Sequence, residues 1–172
     1  MSAALAAVNL KIRRMTAADL DQVVEIDSLS FSLPWPKSSF EYELKNPVSR
    51  LWVAEIEDPA PGSKIAGIIC LWVIENEGHI ATFAIHPDYR RLGLGAFMLA
   101  NSLFEASREG VELVYLEVRR SNLAAMRMYH DFGFEMTGVR AGYYSDNHED
   151  ALMMTLAKID PQVLQTRLEK YR

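Results

Sequence analysis

Two arginines and two glycines stand close together between Arg90 and Gly95, in the run RRLGLG. The run follows a predicted strand at 79–85 and opens an amphipathic stretch that ends before Gly110. Glycine lets a backbone approach a ligand closely. Free N–H groups at a helix start, together with the helix dipole, attract an anion, and Arg90 and Arg91 can add charge-assisted hydrogen bonds. The spacing therefore predicts a site for an anionic, phosphorylated cofactor.

The run differs from two better-known phosphate-binding loops. It lacks the Gly-Lys-Ser/Thr ending of a P-loop. The third glycine of a dinucleotide fingerprint would stand where the chain has Met98, and the run follows the fourth predicted strand instead of the first. An ordinary turn that happens to contain two glycines is the remaining alternative. The strand before it and the helix after it favour the anion site.

Glu117 lies in the otherwise apolar stretch Val111 to Val118, which predicts a strand. A carboxylate in such a strand is expensive unless it is paired, hydrated or used. One interpretation is a general base, acting directly or through water. The alternative is a salt bridge with Arg119 or Arg13 at a strand end.

Asn122 begins a predicted helix over 123–132, for which its side chain is a natural N-cap. Tyr129 lies on that helix. With Met126 and Phe132 it can form an ordinary core stripe. A hydroxyl aimed at the neighbouring strands would instead be available for proton transfer.

The elements that must position these residues read as one mixed α/β sheet, antiparallel in its first half. A strand, the glycine-run helix and a second strand imply one parallel pair across that helix. Ligands bind where the strand pattern switches, here between 79–85 and 111–118. Predicted strands are 10–14, 51–57, 64–75, 79–85, 111–118, 134–139 and 151–158, the last closing the sheet.

Local signals predict the connections. Thr16 and Asp19 form a capping box before a helix that runs to about Ser28, and Ser38 or Ser39 caps a short helix over 40–45. We expect a bulge near Gly67, a turn at 76–78 and a loop at 58–63. We divide the chain into a flexible arm at 1–9, a domain at 10–160 and a short helical tail at 161–172.

Two loops flank the predicted site. Pro34 and Pro36 prevent regular structure around Trp35. Phe31 and Trp35 are either a wall for the substrate or plugs of the core. The polar loop 143–150 either covers the substrate, where its acidic side chains favour a positive group, or is a solvated turn.

Composition excludes several classes of function. Lys and Arg number 18 against 23 Asp and Glu, a net charge of −5, which argues against a general nucleic-acid binder. The single Cys70 allows no intrachain disulfide or cysteine metal cluster, and the four histidines lack metal-ligand spacing. No apolar run is long enough to span a membrane, and the first residues lack a signal peptide's basic segment. We expect a cytoplasmic protein without membrane, nucleic-acid or metal partners.

The motif Arg90-x-x-Gly93-x-Gly95, placed after HPDYR, resembles the acetyl-CoA loop of the GNAT family of N-acetyltransferases. More narrowly, LEVRRSN, MYHDFGF and YYSDNHEDALMM resemble the bacterial ribosomal-protein alanine N-acetyltransferases (RimI-type), and are similar to the N-terminal acetyltransferase subunits of archaea and eukaryotes. The resemblance covers residues 10–157. It implies a GNAT fold: a mixed, mostly antiparallel sheet with helices on both faces and a parallel junction at the acetyl-CoA site.

The resemblance also implies roles for single residues. Glu117 would be the general base and Tyr129 the acid that protonates the leaving thiolate. Backbone N–H groups near Ala84 and Ile85 would stabilise the oxyanion. Asn122 would bond the pantetheine arm or the phosphate side of the cofactor. The residues implied to bind acetyl-CoA are Phe83, Ala84, Ile85, Arg90, Arg91, Leu92, Gly93, Leu94, Gly95, Ala96 and Asn122.

The resemblance implies acetyl transfer to the N-terminal amine of a protein, most specifically the N-terminal alanine of a small-subunit ribosomal protein. The pKa of a terminal amine, about 7.7–8.0, lies below that of lysine, about 10.4, so a terminal amine loses its proton more readily. Three alternatives stay open: acetylation of a small amine or lysine side chain, an acyl-CoA-binding module without turnover, and an NAD-type binding domain.

Overall fold

The structure, a computed structural model, describes residues 9–57 and 63–170. The expected arm therefore lies almost wholly outside the described residues, as does most of the expected loop at 58–63. The strands are β1 Asn9–Arg14, β2 Ser49–Glu57, β3 Ser63–Ile74, β4 Glu77–Ile85, β5 Leu113–Arg119, β6 Glu135–Arg140 and β7 Ala151–Leu156. The helices are α1 Leu20–Ser30, α2 Lys37–Glu43, α3 Leu94–Arg108, α4 Leu123–Asp131 and α5 Pro161–Glu169. Within the described residues no helix is long and apolar enough to cross a membrane.

All seven described strands form one sheet in the order β1-β2-β3-β4-β5-β7-β6. Every neighbouring pair is antiparallel except β4 and β5, which are parallel and joined through α3. The predicted mixed sheet and its single parallel junction are confirmed. The expectation that the last strand closes the sheet is wrong, because β7 pairs with both β5 and β6 and leaves β6 at the edge. The burial pattern agrees with this order, since β7 is mostly buried and β6 mostly exposed.

Helices cover both faces of the sheet, as predicted. On one face α3, α4 and α5 enclose the larger core, whose fully buried side chains include Met98, Leu103 and Leu116. On the other face α1 and α2 enclose a second core around Val23 and Phe40. The alternation of β2 explains the two cores, because successive side chains of a strand point to opposite faces.

Two local predictions need adjustment. The second helix begins at Lys37, after Pro36 at the N-cap position, so Ser38 and Ser39 lie inside it. The fixed φ of proline favours this earlier start. The turn between β3 and β4 consists of Glu75 and Asn76, since Ile74 pairs with the residue directly after them, and Glu75 has a φ of 54°.

The predicted bulge beside Gly67 is confirmed. Ala54 pairs with Gly67 and the next residue of β2 pairs with Ile65, so that Ala66 has no partner on β2. The space around Gly67 is too small for a side chain. A Cβ there would lie 2.7 Å from the sulphur of Met98 on α3. The glycine therefore lets α3 pack close to the bulged strand.

Candidate active site

The cleft at the predicted switch point opens because β4 and β5 diverge. The two strands pair only between 77–80 on β4 and 113–116 on β5. Beyond these residues β4 continues to Ile85 beside β3 alone. The cleft in this gap has a volume of about 680 Å³. Its walls include side chains from both predicted loops and from α4, among them Phe31, Trp35, Asn122, Tyr129 and Tyr144.

Backbone amides of β4 face this gap. The N–H of His86 donates to the carbonyl of Ala66 on β3, at 2.9 Å. Because successive amides of a strand point to opposite sides, the N–H groups of Ile85 and Phe83 point into the gap. The N–H of Ala84 points to β3. Of the two residues expected to supply oxyanion donors, Ile85 is oriented to do so and Ala84 is not.

The glycine run forms the turn that begins α3. Gly93 occupies the N-cap position with a φ of 90°, and Arg91 has a φ of 60°. No side chain caps this helix, so the N–H groups of its first turn are open to an external anion. A Cβ on Gly95 would lie 3.3 Å from the sulphur of Met128, so any side chain there would crowd Met128 on α4. The run therefore fits a pyrophosphate group held by backbone amides.

The two arginines of the run differ. The Nε of Arg90 donates to the carbonyl of Ile85 at 2.8 Å, and its terminal nitrogen donates to the hydroxyl of Ser30 at 2.9 Å. Arg90 thus braces the end of β4 against α1 and does not have its guanidinium directed at the helix start. Arg91 is exposed and precedes the open amides. Leu92 is partly buried, as is Ala96 directly after the run, and Leu94 is buried in the core.

Glu117 lies inside the cleft, with 10% of its side chain exposed. One carboxylate oxygen lies 2.7 Å from Nε2 of His79 on β4, and the other lies 3.1 Å from a terminal nitrogen of Arg140 on β6. The predicted alternative partners are wrong. Arg119 bonds Asp146 and Glu149, and Arg13 bonds Asp19 and Glu55.

His79 and Arg140 are site residues that sequence reasoning missed, and His79 is the more firmly packed of the two. Its ring stacks on Tyr115 at 4.6 Å between centroids, and the ring of Trp72 meets it edge-on at 5.3 Å. This packing fixes the imidazole beside Glu117. The parallel register places His79 opposite Tyr115 and so near the next residue of that face, Glu117, and this register has no local signal in the sequence.

Tyr129 lies on α4, and Asn122 is the N-cap residue of that helix. Tyr129 is buried, lines the cleft, and contacts Phe134 at 5.6 Å between ring centroids. Burial raises the pKa of its hydroxyl well above the ordinary value, so the group keeps its proton near neutrality. Asn122 Oδ1 accepts the N–H of Ala125 at 3.2 Å, which confirms the predicted cap. The Asn122 side chain also lines the cleft.

The two loops meet over the open side of the cleft. The hydroxyl of Ser32 donates to Asp146. Arg119 bonds Asp146 at 2.9 Å and Glu149 at 3.2 Å, while its guanidinium lies 3.8 Å from the centre of the Tyr144 ring. Hydrogen bonds from Ser121 and Arg119 lower the pKa of Glu149 to about 2. Both loops therefore form walls of the cleft, and the acidic loop is tied down instead of being a loose turn.

The two aromatic side chains of the first loop both line the cleft, and Trp35 also packs against core residues. Phe31 is 37% exposed and faces the cleft. Trp35 also lines the cleft, while it packs on Phe40 at 5.3 Å and on Trp72 at 6.4 Å. No cluster of His, Cys, Asp or Glu suited to a metal occurs in the residues that the structure covers.

Known proteins are similar to this chain in sequence and in fold. A family model described as the acetyltransferase (GNAT) family matches residues 20–134. A Bacillus subtilis (strain 168) protein, provisionally named a ribosomal protein bS18-alanine N-acetyltransferase, is 36% identical over 144 residues, or 83% of this chain and 92% of that protein. The Escherichia coli (strain K12) ribosomal protein bS18-alanine N-acetyltransferase is 31% identical over 147 residues, or 84% of this chain and 95% of that protein.

A solved structure extends the similarity to three dimensions. The crystal structure of the ribosomal-protein-S18-alanine N-acetyltransferase from Escherichia coli matches with a TM-score of 0.76 and 28% sequence identity. The match covers 88% of this chain and 96% of that chain. The fold expected from the sequence motifs is therefore confirmed.

Proposed function

Because the chain belongs to the acetyltransferase (GNAT) family, we propose that it transfers the acetyl group of acetyl-CoA to the N-terminal amine of a protein. The names of its Bacillus and Escherichia relatives support a finer proposal, that the acceptor is the N-terminal alanine of a small-subunit ribosomal protein in the cytoplasm. The observation that carries the proposal is the position of Glu117. It lies in the cleft between β4 and β5, beside His79 and on the same cleft as Tyr129.

Acetyl-CoA would bind along the gap between β4 and β5. When bound, it supplies an activated acetyl thioester with a thiolate leaving group. The open amides at the start of α3, from Leu94 to Ala96, would hold the pyrophosphate together with Arg91. The amides of Phe83 and Ile85 would receive the developing oxyanion. Asn122, beside the same gap, would contact the pantetheine arm.

Glu117 is the base that we assign to the acceptor amine. Its carboxylate is held by His79 and Arg140, which fix its two oxygens while the cleft leaves it accessible. It takes the proton from the incoming ammonium, directly or through water. An α-amino group, with a pKa of about 7.7–8.0, needs less help than lysine with about 10.4. This difference favours a terminal amine as the acceptor.

Tyr129 is the acid. Its buried hydroxyl remains protonated because burial raises its pKa, and it lines the same cleft as Glu117. It can therefore donate its proton to the sulphur atom as that atom leaves. Amide formation from an ammonium and a thioester needs one group that accepts a proton and one that donates a proton. The carboxylate of Glu117 is the acceptor, and the phenol of Tyr129 is the donor.

The decisive experiment measures CoA thiol release with a panel of peptides. One series carries a ribosomal S18 N-terminal sequence with the first residue varied from alanine to serine, methionine or proline. A matched control has the same sequence with a blocked N-terminus and an internal lysine, and free lysine and polyamines complete the panel. Fast release with the free alanine terminus and none with the blocked peptide is expected. Release with the blocked peptide or a polyamine would redirect the function to side-chain or small-amine acetylation.

A further inference from the structure

Asp27, near the C-terminal end of α1, is a buried carboxylate to which the proposed reaction gives no role. Its Oδ2 accepts the backbone N–H of Trp35 at 2.7 Å, and its Oδ1 accepts the hydroxyl of Thr82 on β4 at 3.3 Å. In the described part of the chain these two groups are its side-chain partners, and neither is a cation. Burial accordingly raises the pKa of Asp27. Burying a carboxyl group without a counter-ion costs free energy, which the hydrogen bonds of that group must offset.

The sequence around Trp35 makes the first of these bonds important. Trp35 stands between Pro34 and Pro36, and proline has no backbone N–H. The amide of Trp35 is therefore the single backbone donor of this tripeptide. Asp27 accepts that donor, and through Thr82 the same carboxyl group is tied to β4. One side chain thus joins the first loop of the cleft to the strand that carries the oxyanion amides.

Trp35 connects this anchor to the reactive residues. Its ring stacks on Trp72 at 6.4 Å and 20°, and Trp72 meets His79 edge-on at 5.3 Å. His79 in turn lies 2.7 Å from Glu117. A continuous series of contacts therefore runs from Asp27 to the general base, and its first ring lines the cleft where an acceptor would lie.

We propose that Asp27 is a positioning residue for the acceptor, an assignment that rests on the proposed function. By fixing Trp35 at a set distance from β4, it shapes the wall against which the N-terminal residue of the substrate packs. The open amides of α3, by contrast, depend on the glycine run and not on this loop. Loss of the anchor therefore weakens acceptor binding more than binding of acetyl-CoA.

Three variants distinguish the positioning of Trp35 from an effect of the Asp27 charge and from a nonspecific effect of substitution on α1. Asp27→Ala removes both hydrogen bonds and is expected to raise KM for the peptide about tenfold, with KM for acetyl-CoA within about twofold of wild type. Asp27→Asn keeps an oxygen for the Trp35 amide and a polar group for Thr82, so it restores the peptide KM. Asp21→Ala is the matched control, because Asp21 lies on the same helix but is exposed and paired with Lys37 at 2.6 Å. It leaves both KM values unchanged.

A second readout does not require turnover. In protein labelled with 5-fluorotryptophan, the fluorine signal of Trp35 is assigned by its loss in Trp35→Phe. It shifts or broadens in Asp27→Ala and keeps its position in Asp27→Asn and Asp21→Ala. An unmoved Trp35 signal, or an unchanged peptide KM, in folded Asp27→Ala overturns the positioning role. An Asn variant as impaired as the Ala variant does so too, because charge and not position would then matter.

Failure of the proposed function gives a different result. If wild-type protein acetylates no peptide, the proposed function is refuted, whereas normal wild-type turnover with an unaltered Asp27→Ala variant refutes the positioning role alone. If Asp27→Ala does not fold, Trp35→Ala tests the wall directly. It must raise the peptide KM and spare the acetyl-CoA KM, and an unchanged peptide KM overturns the inference.

Discussion

Glu117 is held by two basic side chains and still faces the cleft, which is the arrangement of a carboxylate that must be oriented and remain reachable. We expect Glu117→Gln to lower kcat about 10²- to 10⁴-fold at neutral pH, because the amide cannot accept the proton of the acceptor. Part of the loss should be recovered above pH 8, where more of the terminal amine is already deprotonated. The measurement is kcat against pH with an alanine-terminal peptide.

Glu112→Gln is the matched control for this prediction. Glu112 directly precedes β5, is exposed, and bonds the side chain of Asn76 outside the cleft. Its substitution should leave kcat unchanged at every pH. Full activity of Glu117→Gln at neutral pH would contradict the assignment of the base.

The raised pKa of Tyr129 leads to a prediction about kcat at high pH. Its pKa is raised by burial, so the protonated phenol persists above the ordinary value of about 10. The kcat profile should therefore show no fall up to pH 10 from loss of this proton. Tyr129→Phe should lower kcat about 10²-fold, near the lower end for acid catalysis, since a thiol with a pKa of about 8.5 is already a fair leaving group. Its urea midpoint should match wild type because the ring contact with Phe134 is kept.

Which site residues the sequence could reveal depends on how local their signals are. Glu117 is a charge within an apolar strand, and Asn122 is a cap, so both can be recognised from their neighbours. His79 and Arg140 cannot, because their contact with Glu117 depends on strand register and strand order. Arg140 reaches Glu117 across β7, which lies between the two strands. The contact of Asp27 with Trp35 is equally non-local.

At the level of elements, the start of α3 depends on a glycine backbone. Gly93 has a φ of 90°, where a side chain is strained. We expect Gly93→Ala to lower the free energy of unfolding by about 1–2 kcal/mol and to raise KM for acetyl-CoA, because the first-turn amides shift. The measurements are urea unfolding and the KM values of both substrates.

The other end of the same helix offers the control for this substitution. Gly110 has a φ of 89°, and a Cβ there would meet nothing within 4 Å. Gly110→Ala should therefore show a similar loss of stability with an unchanged KM for acetyl-CoA. Equal effects of the two variants on KM would show that the glycine run has no special part in binding.

The loop from Tyr143 to Asp150 should lose its anchor in acid. Hydrogen bonds from Ser121 and then Arg119 depress the pKa of Glu149 to about 2, so its ionised form favours the folded state. This contribution is present above the ordinary pKa of about 4.5 and disappears as the pH falls towards 2. Wild type should thus have a higher urea midpoint than Glu149→Gln at pH 6, with the difference vanishing between pH 4.5 and 2. Glu105→Gln, which removes a solvent-accessible pair with Arg108 on α3, should show almost no difference at either pH.

For the molecule as a whole, the order from β2 to β5 follows from two antiparallel pairs of consecutive strands and one crossover through α3, and sequence patterns predict these connections. The position of β7 between β5 and β6 does not follow from these sequence patterns. The sequence predicts strands at 134–139 and 151–158, but either of these strands could pair with β5. Burial decides between them, because β7 offers an apolar strand for a central position and β6 carries exposed Met136 and Val139. The site depends on this choice, since it brings Arg140 to Glu117.

The segment from Pro161 to Glu169, expected as a tail beyond a domain ending at 160, forms α5. Leu164 is 4% exposed and belongs to the larger core, and Arg167 donates to the carbonyl of Asp131 at 2.6 Å. We therefore propose that α5 is part of the folding unit. Leu164→Ala should lower the free energy of unfolding by about 2–5 kcal/mol, while kcat and both KM values stay unchanged below the unfolding transition. Val163→Ala, at the neighbouring position with 49% exposure, should change stability by less than about 0.5 kcal/mol. Equal stability of the two variants in urea would mean that α5 detaches in solution and that the domain ends near residue 160.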